Sequence, residues 1–593
     1  MSYKNSLQIS KTITVFLVTT VMLLGLFFRL SNLSNKVFWV DEVATAVRVS
    51  GYTIAEVTDN LLQQGVVDRK TLLSYQTINS ERTFSDSLNA LTKSPEHAPL
   101  YFLLTRLWVQ WWGHSIWIMR SLSIVFSLLC LPCIYWLCQE LFKRSPISWL
   151  AVGIMSISPF YVAYAQEARP YSLWTVGILL MGASFLRAIR LNTTSTWSIY
   201  GLCLILGFYT SLFSSYIAFS QGIYLLLNLT KQRLFIIKNY LISLSISLLA
   251  FLPWIWVIIN HLDLLQDNTS WMRDNFSVAD IIAVYIGTNL LIFGDLPLSP
   301  DSNPIQIAIA LVIIVIGLLG GTKIYPRWKN KPAKFVFCLL ISLTVWLLTK
   351  YIYLDWITII GALVAICILS LSAYSLYYLI IKTHYDRWLY IICMMLALPL
   401  PLLLADIVNQ GQSSTTPRYL IPWQLGIIIA VAYTLDSKLN NQNYQHHQQP
   451  KFWQLTIIAF LLLGIFSDVR NLSLSPFYQK GRNVNNPAIA KIINHHHSTL
   501  VMLESTELMD AVSLAYSLIP EVKYKVITLQ ENLHLYLDEF NDQFDHFFLL
   551  KPTKQLTQKL NQDPQIVFQK VYKSPVFSVN EFPLDLWSIK RLM

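Results

Sequence analysis

Long apolar stretches interrupted by short polar ones dominate the chain, and their lengths predict membrane helices. Ile13 to Leu30 is about eighteen residues with only Arg29 charged, close to one bilayer crossing at roughly 1.5 Å rise per residue. The first polar interruption, VFWVDEVAT from Val37 to Thr45, follows directly. Further crossings are expected over Ile116–Leu141, Ile147–Ala163, Tyr171–Ala188, Trp197–Ser211, Phe213–Asn228, Leu241–Ile259, Ile305–Ile324, Phe335–Tyr353, Trp356–Ile381, Trp388–Asp406, Tyr419–Leu435 and Phe452–Phe466. That makes about thirteen by length and apolarity. Pro99–Trp112 is shorter, contains Arg106 and is rich in tryptophan, so it reads as a helix lying in the interface.

Basic residues set the expected topology. Lys4 and Lys11 precede the first helix, which places the N-terminus in the cytoplasm and Asp41 outside. Lys143-Arg144, Arg187, Arg190, Lys231, Arg233, Lys238, the cluster Lys323 to Lys334, Lys382, Arg387, Lys438 and Lys451 then fall on the inner side. Lys350 is the awkward charge, and its stem is long enough to snorkel. The first external loop, residues 31–115, holds six basic against eight acidic residues up to His97, and TIAEVTDNLLQQ within it has helical periodicity. A second external loop, 261–304, holds six aspartates against Arg273, with Val278 to Phe293 as a surface or re-entrant helix. After residue 470 the composition becomes that of a soluble domain. TLVMLES, KYKVITL, HFFLLKP, IVFQKVY and LDLWSIKR read as strands, separated by helical stretches such as ELMDAVSLAYSLI and TKQLTQKL. The expected architecture is thus a polytopic α-helical membrane module, 1–470, with external surface helices and a small external α/β accessory domain, 471–593.

Composition agrees with this class and removes others. With 54% hydrophobic and 13% charged residues, the chain cannot be one soluble globule. The net charge of +11 resides largely in short clusters facing anionic lipid, which argues against nucleic acid as a partner. All seven cysteines lie in apolar segments, so neither a disulfide nor a cysteine zinc site is expected. His495, His496 and His497 are consecutive, an arrangement that chelates poorly alone, and His446-His447 falls in a polar loop. Ser31 to Asn35 lacks a small-x-small cleavage site, so the first helix reads as a signal anchor.

The chemistry is expected at the external ends of the helices. Asp41 and Glu42 sit just past the first helix, beside Phe38 and Trp39 as interface anchors. Asp41 reads as a catalytic base; the plain alternative is two loop acids opening the next helix. In SPFYVAYAQEARPYS, Gln166, Glu167 and Arg169 interrupt an apolar hairpin where the chain turns outside. Charges there are expensive, which suggests a task. Arg169 suits a phosphate, because guanidinium binds oxyanions in bidentate fashion and stays charged beside lipid. The alternative is a Glu167–Arg169 pair closing a tight turn. Arg418, in TTPRYLIP, opens a span on the same side, and alone it would be a headgroup anchor. His97 closes the first loop, while Tyr209, Ser211 and Tyr216 border a short turn; each alone reads as structural. Together, two carboxylates and two arginines at one membrane face suit a lipid-linked phosphate leaving group, with a carboxylate deprotonating an acceptor hydroxyl or amine.

FRL…FWVDE, HAPLYFLL, RSLSIVFSLL, SPFYVAYAQEARPYSL, FYTSLFSSY and PRYLIP occur in this order. The series resembles the GT-C glycosyltransferases related to protein O-mannosyltransferases and the lipid A aminoarabinose transferase. The resemblance runs from about Phe28 to His261 and includes Pro417-Arg418-Tyr419. It implies a GT-C fold and transfer of a sugar from a polyprenyl-phosphate donor to a glycan, lipid or protein acceptor, with inversion. By the same resemblance Asp41 is the general base, Glu42 orients or pairs with Arg169, and Arg169 and Arg418 hold the lipid phosphate. Glu167, His97, Tyr171 and Tyr419 line the substrate. Ala98 stands where the family often has proline, and Ser211 where it often has histidine. The only cofactor suggested is the divalent metal that some distant relatives need, and no acidic metal motif here assigns ligands to one. The implied location is the plasma (inner) membrane, with the active site on its external, periplasmic side. On composition alone a secondary transporter of an amphiphilic or anionic substrate competes, but that class places charges near mid-membrane between repeat-related broken helices. A non-catalytic scaffold displaying the C-terminal domain is the third class.

Overall fold

A computed structural model gives the fold and describes residues 17–228, 234–273, 276–295, 356–439, 448–474, 482–528, 533–574 and 584–591. The expected spans 305–324 and 335–353, the basic cluster between them and His446-His447 lie outside the described residues.

The described part is a polytopic helical membrane protein. Six helices are long and apolar enough to cross a bilayer: Ile116–Phe142, Tyr171–Leu191, Leu234–Asn260, Ile360–Lys382, Pro417–Leu439 and Phe452–Leu472. Two bent pairs raise the number to as many as eight among the described residues. Ser145–Ser156 and Pro159–Ala165 meet at 61°, so the span expected as continuous over Ile147–Ala163 is broken. Pro159 has no amide hydrogen to donate to the preceding turn, and its ring crowds the helix before it. Tyr385–Leu396 and Pro399–Asn409 bend by 40° at a second proline. Leu17–Leu30, Thr194–Thr210 and Ser214–Leu227 are apolar but short.

Tight packing explains how polar helix ends are held together. The 116–142 helix packs against both 145–156 and 171–191, and the 421–439 helix packs against 145–156. Leu137, Ile178, Leu179, Leu425 and Ile428 are fully buried there. Asn192, at φ +47°, ends the 171–191 helix, and asparagine tolerates that left-handed turn better than most residues.

The C-terminal strands all form, as β2 Thr499–Glu504, β3 Lys523–Ile527, β4 His546–Leu550, β5 Ile566–Tyr572 and β6 Leu586–Arg591. A further strand, β1 Val66–Asp68, comes from the first loop and pairs antiparallel with β3. The sheet order is β1-β3-β2-β4-β6-β5, with β3-β2-β4 parallel. One sheet therefore includes both the 31–115 segment and the chain after residue 470. The Val40–Val49 helix packs on Leu508–Ala515 of the C-terminal part. Leu100–Trp112 packs beneath the first loop, with Arg106 donating to the Val49 carbonyl at 2.9 Å, while Trp111 and Trp112 stay exposed. The six described cysteines are free, and Cys338 lies outside the described residues.

Candidate functional site

Three chain turns meet at one end of the helix bundle. Asp41 lies in the first turn of the Val40–Val49 helix. Arg169 lies in the short connection between Pro159–Ala165 and Tyr171–Leu191. Arg418 lies in the 3-10 turn Pro417–Leu420 that opens the next span. Its approach is held by Asp406, which accepts from the Ser413 and Ser414 amides at 2.8 and 2.6 Å.

The geometry brings the expected residues together. Asp41 Oδ2 is 3.7 Å from Arg169 Nη2 and 3.7 Å from Arg418 Nη2. Arg169 Nη1 also donates to Thr45 Oγ1 at 2.9 Å and to the Asp41 carbonyl at 3.2 Å. The Nε atoms of both arginines are buried and meet no acceptor among the described residues. Trp39, Tyr171 and Tyr419 present their rings to Arg418 at 5.9, 5.4 and 5.6 Å, and Phe213 packs edge-on against Tyr419 at 4.7 Å. Burial works against the Arg169 charge, but the Tyr171 and Asp41 oxygens outweigh it and hold its pKa above the ordinary value. Glu167 is buried in the same turn.

The two neighbouring carboxylates separate completely. The Asp41 side chain is 26% exposed and can meet a substrate, whereas that of Glu42 is 0% exposed. Of the two roles expected for Glu42, to orient Arg169 or to pair with it, the pairing does not form. It takes a bidentate pair from Arg120 at 2.8 and 2.6 Å and the Ala168 amide at 2.8 Å. The helix turn accounts for this, since successive residues point about 100° apart at 3.6 residues per turn. Glu42 thus faces the 116–142 helix while Asp41 faces the arginines. A Glu42 locked to Arg120 does not combine with Asp41 into a metal-binding set. No three histidine, cysteine, aspartate or glutamate side chains gather as metal ligands anywhere among the described residues.

His97 is half-buried, 3.6 Å from Glu96, with its ring 5.3 Å from that of Phe102. Loss of water around the ring, and then the charges of Arg48, Arg169 and Arg418, hold its pKa well below the usual histidine range. Below about pH 6.5 the unfolded histidine gains a proton that folded His97 resists, so stability falls as pH falls, by at most about 1.4 kcal/mol per unit. The thermal midpoint should therefore drop more steeply from pH 7 to pH 5 in the wild type than in His97→Gln. Equal slopes would show His97 accepting its proton in place.

Sequence reasoning did not single out Arg120, Arg48 or Thr45. Arg48 donates to Ser94 Oγ at 2.9 Å and lies under the site. A visible signal did exist for Arg120, as a charge inside an expected span.

Comparison with known proteins agrees with the motif reading over part of the chain. Residues 96–257 match the family model described as dolichyl-phosphate-mannose-protein mannosyltransferase, so the resemblance holds across the segment that carries His97, Arg120, Glu167, Arg169 and Tyr171. Asp41 and Arg418 lie outside the match. No curated protein matches the chain. Among solved structures, ArnT from Cupriavidus metallidurans in the apo state is similar at 12% identity, over 98% of each chain, with a TM-score of 0.40. The archaeal oligosaccharyltransferase AglB from Archaeoglobus fulgidus, in complex with an inhibitory peptide and a dolichol-phosphate, is similar at 10% identity. That likeness covers 91% of this chain and 70% of that one, with a TM-score of 0.45.

Proposed function

We propose that the protein is a GT-C-type glycosyltransferase of the plasma (inner) membrane, crossing about thirteen times, with its N-terminus cytoplasmic. The reaction is transfer of a sugar from a polyprenyl-phosphate donor to an acceptor hydroxyl or amine at the external face. One observation carries this reading: two arginines from separate turns converge at 3.7 Å on a single reachable carboxylate, with buried Nε donors left for an oxyanion.

The acceptor oxygen or nitrogen attacks the anomeric carbon from the side opposite the phosphate, so configuration inverts. The bond between the anomeric carbon and the phosphate oxygen breaks, and polyprenyl phosphate departs with the electron pair. Asp41 takes the acceptor's proton. Arg169 and Arg418 bind the charge that grows on the leaving phosphate. Tyr171, Tyr419, His97 and Glu167 line the bound donor. Glu42 acts through the backbone, accepting the Ala168 amide directly and fixing the Val37 segment via Arg120. The module of residues 1–470 carries the reaction, and residues 471–593 form the second domain. The transporter reading is weaker, because the Asp41, Arg169 and Arg418 charges gather at helix ends rather than midway along spans.

The test is incubation of the purified protein with a panel of polyprenyl-phosphate sugars, following release of polyprenyl phosphate. Absence of both turnover and binding with every member of the panel would overturn the reading. Arg169→Ala and Arg418→Ala are each expected to weaken donor binding by about ten- to a hundredfold, the range of a lost charged hydrogen bond. Unchanged donor dependence in both variants would remove the phosphate role.

A further inference from the structure

The Val40–Val49 helix has an unusual start. Trp39 occupies its N-cap position and supplies no side-chain cap, since an indole has no acceptor for the free amides of a first turn. The acceptor comes instead from far along the chain: Val40 N–H donates to Asn483 Oδ1 at 2.9 Å. On the other side of Trp39, Ser513 Oγ donates to the Phe38 carbonyl at 2.6 Å, and the Phe38 ring packs edge-on against Tyr516 at 5.1 Å.

These contacts are themselves held in place. Asn483 adopts φ +65°, a conformation asparagine tolerates, and its Nδ2 donates to Asp510 Oδ1 at 2.8 Å. Asp510 also receives Arg482 at 3.2 and 2.7 Å. Asn486 Nδ2 donates to Ser513 Oγ at 2.9 Å. Asn483, Asp510, Ser513 and Asn486 are all buried. Residues 38 and 40 are therefore clamped by the C-terminal domain, while Trp39 and Asp41 between and beyond them face the arginines.

We propose that Asn483 and Ser513 are positioning residues for the transfer reaction: the C-terminal domain caps and clamps the helix start that aims Asp41. It gives the domain expected as accessory a part in the reaction, and it rests on the glycosyltransferase reading above. A base displaced by about 1 Å can lose up to a hundredfold in rate while the phosphate grip stays intact.

Asn483→Gly keeps the left-handed turn without strain and removes the cap together with the donor to Asp510, while Ser513→Ala removes the second clamp. In the full-length protein, Asn483→Gly should lower kcat about tenfold, and the double variant more, with donor affinity within about twofold of wild type because the arginines are untouched. Wild-type kcat in the double variant, or a parallel loss of kcat and donor affinity, would overturn the proposal. Hydrogen exchange gives a readout independent of turnover: amides of residues 40–42 should exchange faster in Asn483→Gly. Unchanged exchange there would overturn the clamp even if the protein proved to catalyse a different reaction, whereas faster exchange without sugar transfer by the wild type would sink only the functional reading.

Discussion

Asp41→Asn is expected to lower sugar transfer by about a thousandfold, within the range for loss of a general base, while the protein accumulates normally. Asparagine has the same shape but cannot take a proton from the acceptor. The side chain is partly open to solvent, so the change leaves no deeply buried charge uncompensated. Donor binding gives the sharper discrimination. With the carboxylate gone, Arg169 and Arg418 no longer share their charge with Asp41 at 3.7 Å, so a phosphate should bind as tightly as before or more tightly. Rate and affinity therefore move apart. Turnover above about a tenth of the wild type would exclude Asp41 as base. Loss of donor binding in step with rate would make Asp41 a counter-ion that shapes the arginines.

The sequence made some of this site legible for a physical reason. A charge beside lipid is costly, so Asp41, Arg169 and Arg418 stood out against apolar surroundings, and a common topological side brought them together before any coordinates did. The five C-terminal strands were legible through their apolar β-branched and aromatic runs. β1 was not: Val66–Asp68 is three residues, too short for any period, and pairs only because β3 presents an edge. The break before Pro159 was visible as a proline, yet the apolar run continues through it, and composition cannot tell a bent span from a straight one. Least legible was the clamp on Asp41. Asn483 and Ser513 act on backbone groups of residues more than 440 positions away, and a hydrogen bond to a backbone leaves no complementary side chain to find. The pairing of Glu42 with Arg169, one of the two roles the resemblance implied for it, does not form, because helical geometry sends Asp41 and Glu42 to different faces.

Arg120→Ala is expected to cost about 3–5 kcal/mol of stability, the range for breaking a buried ion pair from one side, and so to remove most of the folded protein. The Arg120 and Glu42 side chains are 2% and 0% exposed. Truncating the arginine strands the Glu42 carboxylate with only the Ala168 amide and releases the carbonyls of Leu33, Lys36 and Val37 that Arg120 gathers. Arg120→Lys should rescue little, because an ammonium cannot span two carboxylate oxygens and three carbonyls in one plane. Replacing both partners, as in Arg120→Met with Glu42→Leu, should destabilise less than the single change, since no buried charge is left behind and only the three carbonyls and the Ala168 amide lose their partners. The double variant also decides what Glu42 does. If it folds and still transfers sugar, Glu42 serves only to hold the loop. If it folds, binds donor and is inactive while Asp41 keeps its place, Glu42 takes part in the chemistry and the division of labour between the two carboxylates argued above is wrong. A thermal midpoint for Arg120→Ala equal to that of the wild type would show that the pair does not hold the loop at all.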